Sequence, residues 1–317
     1  MTPLVSVCIP CFNTEKFVAE AIESVFNQTH SNVEVVVVDD GSTDGSVDVL
    51  KSFGDKIIFE ANPNRGACAT RNRAFELSSG KYIQFLDADD RLVPTKFERQ
   101  LPFLESGEAD LVFCHGFLFG DDRPMRPKKA KVMSPVGVDS GVYCLRQGLS
   151  TEGPLHRREC IERVGGFREG VKRAQEYDLH VRIGATNIKI HYIDDYLCEH
   201  RNHDGPRITR SVQPAGHMVE LLLELSQILE KPPYDFTQER RLALAGRLFQ
   251  HSIYAYRNGA NQVAEKGFKR ANELAAGQPI EYEERNAYKM LARAVGPFRV
   301  EQALATARRT ASLIKRK

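Results

Sequence analysis

The sequence has almost no net charge. Its 317 residues include 44 basic and 42 acidic side chains, which leaves a formal net charge of +2 at pH 7. Proteins dedicated to nucleic acid binding usually carry a clear basic excess. The near balance therefore argues against that class, and binding partners have to be inferred from local clusters of residues.

The sequence also lacks long apolar runs. None approaches the roughly 18 to 20 residues that a membrane-spanning helix requires. The hydrophobic fraction is ordinary for a globular protein, and a chain of this length can bury a sizeable core. These features predict a soluble protein, or one that binds only to a membrane surface.

The sequence has a single C-x-x-C motif. The seven cysteines are scattered through mostly apolar stretches, and no signal-peptide pattern precedes them. This usage predicts a reducing, cytoplasmic location, with the inner face of the membrane as an alternative. Cys8 and Cys11 have C-x-x-C spacing, but no second pair exists and Cys8 lies within an apolar run. Redox or zinc chemistry at this pair stays an alternative.

Short apolar runs alternate with helical patterns through the first 90 residues. The strand-like runs are residues 4–9, 33–38, 56–59 and 82–86, and the helix-like segments are residues 15–28, 43–53 and 66–77. Asn13 or Thr14 is available as the N-cap of the first helix. This alternation predicts an α/β fold of the Rossmann-like class, with a mostly parallel sheet and helices on both faces.

Three of the four strand-like runs end in polar clusters, at residues 10–13, 39–42 and 87–90. Ligands of open parallel sheets bind outside the carboxyl ends of the strands, where the strand order reverses. The three clusters are therefore predicted to meet at one edge of the sheet.

The cluster at residues 87–90 contains three aspartates. In extended backbone Asp87 and Asp89 lie on the same side and Asp90 on the other. Two carboxylates at the end of a buried strand need a cation, and Mg²⁺ is usually held by one or two carboxylates together with water and phosphate oxygens. The alternative is a solvated turn that caps a helix starting near Pro94.

Four segments in this order resemble the family 2 nucleotide-sugar glycosyltransferases of the GT-A fold. They are Val-Ser-Val-Cys-Ile-Pro-Cys-Phe-Asn (5–13), Val-Val-Val-Asp-Asp-Gly-Ser-Thr-Asp (36–44), Asn-Arg-Gly-Ala-Cys-Ala-Thr-Arg-Asn (64–72) and Gly-Lys-Tyr-Ile-Gln-Phe-Leu-Asp-Ala-Asp-Asp (80–90). The resemblance is strong over residues 4–120 and looser over residues 150–210. The G-x-G-x-x-G fingerprint is absent, which argues against a nicotinamide enzyme.

The resemblance implies a nucleotide-sugar site at the predicted edge. Pro10 and Phe12 would line the base pocket, and Asp40 would accept a hydrogen bond from the base. Arg71 would contact the base or a phosphate. Asp40 has the alternative role of binding the backbone of residues 41–43, and Arg71 that of a solvated helix residue.

Asn13, Asp87 and Ala88 complete the nucleotide-sugar-binding set that the resemblance implies, whereas Asp39 is expected to be structural. The cofactor would be Mn²⁺ or Mg²⁺, and Asp89 matches the carboxylate that binds the metal directly.

A second metal ligand is implied near the end of the resemblance. His203 matches a histidine that reaches the metal in many relatives, with His200 as the second choice. Arg201, between them, would contact a phosphate.

A catalytic base is implied within residues 172–185. Relatives usually read Glu-Asp-Tyr-Asp-Leu there, with the second residue as the general base, and the register places Glu176 at that position. Glu176 also lies at the edge of the apolar face of the predicted helix. Asp178, the alternative, lies on the other side and pairs at i, i+4 with Arg182, as in a solvated ion pair.

Together these features predict an inverting transferase that moves a sugar from a nucleoside-diphosphate sugar, by family frequency a UDP-sugar, to a hydroxyl of a saccharide or lipid-linked acceptor. Surface polysaccharide or glycan biosynthesis is the expected setting. The alternatives are a polyprenyl-phosphate glycosyltransferase and an inactive nucleotide-sugar-binding module. The unusual glutamate at position 176 keeps the inactive module open.

The middle of the chain predicts a helix at residues 94–105 and strands at residues 110–119, 188–193 and 196–200. Residues 121–148 lose periodicity and gather prolines, glycines and basic side chains. This segment either shapes the acceptor site for an anionic acceptor or is a solvated loop.

Beyond about residue 213 strand-like runs vanish. Amphipathic segments with turn signals between them predict helices at residues 218–229, 240–256, 261–276, 282–294 and 301–314. The chain is therefore expected to divide into a GT-A domain, residues 1–210, and an all-α region, residues 211–317. The last helix is basic, and it either contacts anionic lipid or is solvated. The sequence leaves the oligomeric state open.

Overall fold

The computed structural model describes residues 2–120, 123–128, 132–202 and 214–282, and isolated residues or short runs between 288 and 306. It divides the chain into two compact units, Met1–Thr209 and Arg210–Lys317. The candidate metal ligand His203 and the basic residues at the end of the chain lie outside the described residues.

The first unit begins with the alternation that the sequence predicts. The elements are β1 (Val5–Cys11), α1 (Val18–Phe26), β2 (Val33–Asp39), α2 (Ser46–Ser52), a 3-10 turn (Gly54–Lys56), β3 (Ile58–Ala61), α3 (Ala67–Leu77) and β4 (Tyr82–Phe85). Val35 to Val38 of β2 are all buried, because helices cover both faces of the sheet at this strand.

The predicted N-cap of α1 is wrong. The helix begins at Val18, and neither Asn13 nor Thr14 caps it with its side chain. Asn13 instead has a φ of +52°, and its Oδ1 accepts a hydrogen bond from the backbone N–H of Thr43 at 2.8 Å. Asn13 therefore ties the loop after β1 to the loop after β2.

The second half of the unit is less regular. Its elements are β5 (Arg91–Leu92), α4 (Lys96–Glu105), β6 (Leu111–Gly120), β7 (Arg123–Pro127), α5 (Ser140–Arg146), β8 (Leu155–Arg157), α6 (Arg158–Val164), α7 (Gln175–Gly184) and β9 (Ile190–Arg201). Residues 121–148, predicted to be irregular, thus contain a strand and a short helix. The two strands predicted near residue 195 are one strand with a bulge opposite Cys114–Gly116.

The described strands form one nine-stranded sheet in the order β3-β2-β1-β4-β8-β6-β9-β5, with β7 paired to β6. Strands β3, β2, β1 and β4 are parallel, as are β6 and β9. Strands β5, β7 and β8 pair antiparallel with their neighbours. The first half of the sheet is therefore parallel as predicted, and the whole is mixed. The strand order reverses between β1 and β4, which places a ligand site at their carboxyl ends.

The secondary structure described in the second unit is helical. Its helices are α8 (His217–Ile228), α9 (Gln238–Arg257) and α10 (Asn261–Ala275), which confirms three of the five predicted helices. The predicted helices at 282–294 and 301–314 lie only partly within the described residues. Among the described helices, none combines the length and apolar character needed to cross a bilayer.

Two buried histidines join β8 to α7. Nδ1 of His156 lies 3.3 Å from the carbonyl oxygen of Ile83, and its Nε2 lies 3.1 Å from Nε2 of His180. If both rings are neutral, Nδ1 of His156 donates to the carbonyl, Nε2 of His156 accepts, and Nε2 of His180 donates. Burial lowers the pKa of His156 to about 4 and the pKa of His180 well below its usual value.

We expect the free energy of unfolding to fall as the pH drops from about 6.5 to 4. Unfolded histidine takes up a proton near pH 6.5, whereas folded His156 does so only near pH 4, so the unfolded state binds more protons in this range. The loss for His156 should reach about 3 kcal/mol at pH 4. Lys96 and Arg182 also act on the pair, and their positive charges oppose protonation as well.

Urea unfolding at pH 7 and pH 4.5 measures this effect. The double variant His156→Phe, His180→Leu should lose less stability between the two pH values than the wild type. Equal acid-induced losses in the two proteins would contradict the assignment of two neutral rings.

Candidate active site

Asp39 and Asp40, at the end of β2, both bind backbone N–H groups. Asp39 Oδ2 accepts from Gly41 and Ser42, each at 3.0 Å, which is the structural role predicted for it. Asp40 is buried, and its two oxygens accept from the backbone N–H groups of Arg65, at 2.7 Å, and Gly66, at 3.0 Å. Asp40 therefore positions the loop before α3. The alternative in which it binds residues 41–43 is wrong, because Asp39 does so.

The end of β1 offers an aromatic surface at the same edge. Phe12 is 48% exposed, and Pro10 beside it is half-buried. A ring exposed at the ligand edge of a sheet can cover the face of a planar base. Ala88, by contrast, is buried, so it can contribute to a ligand site only through its backbone.

Arg71, on α3, links the end of β4 to the start of α7. Its guanidinium donates to Asp87 Oδ1 and to Gln175 Oε1, each at 2.6 Å, and lies 4.0 Å from Glu176 Oε1. The side chain is buried, so the alternative of a solvated helix residue is wrong. The structure thus brings together Arg71, Asp87 and Glu176, which are far apart in the sequence.

The turn at residues 87–90 differs from the predicted geometry. Strand β4 ends at Phe85, and the N–H of Asp90 donates to the carbonyl of Asp87 at 3.0 Å. Alternation along an extended strand therefore does not describe these side chains. Asp89 is partly exposed and Asp90 is buried.

The turn carries an excess of negative charge. Burial raises the pKa of Asp87 well above its usual value, and although Arg71 opposes this shift, Glu152, Asp90 and Asp89 add to it. Such a group of carboxylates is stabilised by a cation, and oxygen-rich donor sets suit Mg²⁺ and Mn²⁺. The residues of the turn therefore fit a divalent ion.

Glu176 lies in the first turn of α7, which begins at Gln175 after Ala174 in the left-handed conformation. Its Oε1 accepts a hydrogen bond from Thr151 Oγ1 at 3.2 Å, and its side chain is 28% exposed. Glu176 is thus oriented and remains accessible to a ligand.

Asp178 lies in a different environment. Its carboxylate accepts from Arg182 Nε at 2.8 Å and from Arg168 Nε at 2.9 Å, and only 1% of its surface is exposed. Arg182 in turn donates to the carbonyls of Val164 and Gly166. The prediction of a solvated ion pair is wrong, because the turn after α6 covers the pair of Asp178 and Arg182. Asp178 therefore stabilises the fold.

The guanidinium of Arg201 contacts other groups of the protein. Its Nε donates to the carbonyl of Asp89 at 3.0 Å, and its guanidinium pairs with Glu20 and stacks on Phe119. Arg201 therefore supports the backbone of the acidic turn. This role differs from the predicted one, which was a contact with a phosphate.

A buried cluster of side chains lies beside the turn. The sequence did not predict it. His200 Nδ1 lies 3.2 Å from Asp90 Oδ2 and 3.1 Å from Glu152 Oε2. Burial raises the pKa of Asp90 to about 7. Burial lowers the pKa of His200, but the negative charges of Glu152 and Asp90 outweigh it and raise the pKa to about 10. Glu152 lies in no recognisable motif, so no sequence signal identified it.

A cleft of ≈ 440 Å³ opens between the start of α3 and the segment before α7. Its lining includes Arg65, Gly66, Lys172 and Gln175. Two basic side chains and the N-terminus of an 11-residue helix favour an anionic ligand. The volume is within the range of small-molecule sites.

The chain is similar to known glycosyltransferases in sequence and in fold. The family model described as "Glycosyl transferase family 2" matches residues 6–160. The chain is 30% identical over 210 residues to "Uncharacterized glycosyltransferase MJ1057" of Methanocaldococcus jannaschii, which covers 63% of this chain and 71% of that protein. It spans only 46% to 65% of the length of the next curated relatives.

Two solved structures share the fold of the chain. S. aureus TarS 1-349 in complex with UDP-GlcNAc has a TM-score of 0.70 at 16% identity, over 96% of this chain and 92% of that one. Mannosyltransferase PcManGT from Pyrobaculum calidifontis, in complex with GDP-Man and Mn2+, has a TM-score of 0.57 at 18% identity, over 100% of this chain and 89% of that one.

Proposed function

The chain belongs to glycosyl transferase family 2, and on that premise we propose that it transfers a sugar from a nucleoside-diphosphate sugar to an acceptor hydroxyl, with inversion at the anomeric carbon. Its fold is GT-A followed by a helical region. The observation that carries the proposal is the Arg71 bridge, which joins Asp87 in the acidic turn to Glu176 at the start of α7. A donor site and an oriented base are thereby neighbours.

The donor would lie along the carboxyl ends of β1, β2 and β4. The exposed ring of Phe12 suits a nucleotide base, with Pro10, Asn13 and Asp40 beside it. The oxygens of Asp40 already accept two backbone N–H groups, so a base would use their remaining lone pairs. UDP-sugars are the first donors to test, because TarS binds UDP-GlcNAc, and GDP-sugars follow, because PcManGT binds GDP-Man.

We assign Mn²⁺ or Mg²⁺ to the acidic turn, with Asp89 as the direct ligand and His203 as the second. When bound, the ion offsets the negative charge that develops on the departing diphosphate. Asp87, fixed by Arg71, would assist by holding the donor or a water at the turn, and the backbone of Ala88 lies between the two carboxylates. The presence of Mn2+ in the PcManGT complex supports this assignment.

Glu176 would act as the general base. It takes the proton of the acceptor hydroxyl as the oxygen of that hydroxyl attacks the anomeric carbon, and the bond from that carbon to the diphosphate breaks with its electrons on the diphosphate. Thr151 holds Glu176 Oε1 in place. Arg71 lies 4.0 Å from the same oxygen. One displacement inverts the anomeric centre, so no covalent intermediate is required.

We propose a saccharide or a lipid-linked saccharide as the acceptor, in surface polysaccharide or glycan biosynthesis. A cytoplasmic location fits the cysteines, because all seven lie within the described residues, buried and outside any disulfide bond. The basic side chains that the sequence places near β7 would suit an anionic acceptor.

A screen of UDP- and GDP-sugars with Mn²⁺ tests the proposal. A true donor should raise the melting temperature in proportion to the logarithm of its concentration, and it should be converted slowly to nucleoside diphosphate. A protein that binds such a donor but never turns it over with any acceptor would instead be an inactive nucleotide-sugar-binding module.

A further inference from the structure

The buried cluster of Asp90, Glu152 and His200 joins three separate segments of the chain. Asp90 closes the turn after β4, Glu152 precedes β8, and His200 lies near the end of β9. One potential ligand atom from each side chain lies within 4.8 Å of the other two. The distances from His200 Nδ1 to the two carboxylate oxygens, 3.1 and 3.2 Å, are close to the ~3.0 Å between adjacent ligands of an octahedral ion at ~2.1 Å.

All three side chains of the cluster are buried, and together they offer two carboxylates and one imidazole. Carboxylate oxygens and an imidazole nitrogen are a donor set that binds divalent transition ions.

One oxygen of Glu152 is satisfied by none of the described residues. Its side chain is 2% exposed, and Oε1 has no hydrogen-bond partner among the described residues. Leaving a buried charged acceptor unpaired is costly, on the order of 1–3 kcal/mol or more. An ion bound by both oxygens of Glu152 would satisfy it.

Strand β6 is shaped to leave room for the imidazole. A Cβ on Gly116 would lie 2.5 Å from His200 Nε2 and 3.0 Å from Cys198 Sγ. The ring is therefore held against the strand with Nδ1 directed at the two carboxylates. On the other side of the ring, Nε2 of His200 lies 3.8 Å from Cys198 Sγ, so Nδ1 is the nitrogen available to an ion.

We propose that Asp90, Glu152 and His200 bind a buried divalent cation, separate from the ion assigned to Asp89. Two carboxylates and an imidazole suit Mn²⁺ or a related transition ion better than Mg²⁺, which prefers oxygen ligands. The ion would join the acidic turn to the segment that contains Thr151, the residue that orients Glu176. The site needs no nucleotide, so it stands whether or not the proposed transfer reaction is correct.

Mn²⁺ binding to the full chain without nucleotide tests the proposal. After treatment with a chelator and removal of that chelator, titration with Mn²⁺ alone should load about one ion per chain, read from the loss of the free Mn²⁺ signal in electron paramagnetic resonance. The ion assigned to Asp89 is completed by diphosphate oxygens of the donor, so without nucleotide the double variant Asp89→Asn, His203→Asn should bind the same amount. Glu152→Gln should bind at least about tenfold more weakly, whereas the control Glu169→Gln, whose side chain is exposed, should match the wild type.

A second measurement does not depend on the stability of Glu152→Gln, which changes a buried residue. In the Asp89→Asn, His203→Asn protein, the bound Mn²⁺ should show a nitrogen coupling from a directly bound imidazole by pulsed electron paramagnetic resonance. Absence of that coupling, failure to bind Mn²⁺ without nucleotide, or unchanged binding in Glu152→Gln would each overturn the proposal.

Discussion

Glu176→Gln should lower kcat by about 10²–10⁴-fold and leave donor affinity nearly unchanged. Glutamine keeps the shape of the side chain and can still bond to Thr151, but it cannot take the proton of the acceptor hydroxyl. Steady-state kinetics with saturating acceptor measure kcat, and equilibrium titration measures donor affinity. We expect kcat to fall while donor affinity stays the same, because only the attack by the acceptor hydroxyl needs the base.

Two further variants show whether this loss is specific to the base. Glu169→Gln, which changes an exposed glutamate paired with Arg65, should keep wild-type kcat. Thr151→Val removes the hydrogen bond that orients Glu176, so it should lower kcat by about fivefold, the equivalent of one ordinary hydrogen bond. A Glu176→Gln protein with wild-type turnover would remove Glu176 from the mechanism.

Asp178→Ala should lower the free energy of unfolding by about 3–5 kcal/mol. Asp178 is 1% exposed and compensates the charges of Arg168 and Arg182. Because Arg182 is buried as well, removal of the aspartate leaves a guanidinium charge that water cannot reach. Urea unfolding at pH 7 measures the loss.

The matched control is Asp48→Ala. Asp48 also forms an ion pair on a helix, with Lys51 at 4.0 Å, but both side chains are exposed, so the loss should stay below about 1 kcal/mol. The folded fraction of Asp178→Ala should keep most of its kcat. Full stability combined with a kcat lowered 100-fold or more would identify Asp178 as the base in place of Glu176.

The first half of the fold was predictable from local sequence. Strand and helix patterns with short connections leave few topologies, and β1 to β4 follow them. The second half of the fold was less predictable. Strand β8 pairs antiparallel with β4 across some 70 residues, and no local pattern encodes such a pairing. Strand β7 and helix α5 were missed for a related reason, since neither is long enough to show a clear period.

The site divides in the same way. Motif positions pointed to Arg71, Asp87 and Glu176, and the structure places the three side chains together. The burial of Asp178 depends on Arg168 and on the turn after α6, which a helical period cannot reveal. Glu152 belongs to no motif, and its proximity to His200 results from the pairing of β6 with β8 and β9.

The central claim is that the acidic turn after β4 binds a divalent cation that in turn binds the donor diphosphate. The most direct test is the affinity of Asp89→Asn for the donor found in the screen, measured by isothermal titration at saturating Mn²⁺. We predict binding about 10- to 100-fold weaker than in the wild type, equivalent to about 1.4–2.8 kcal/mol. Equal affinity of the two proteins for the donor would contradict the claim.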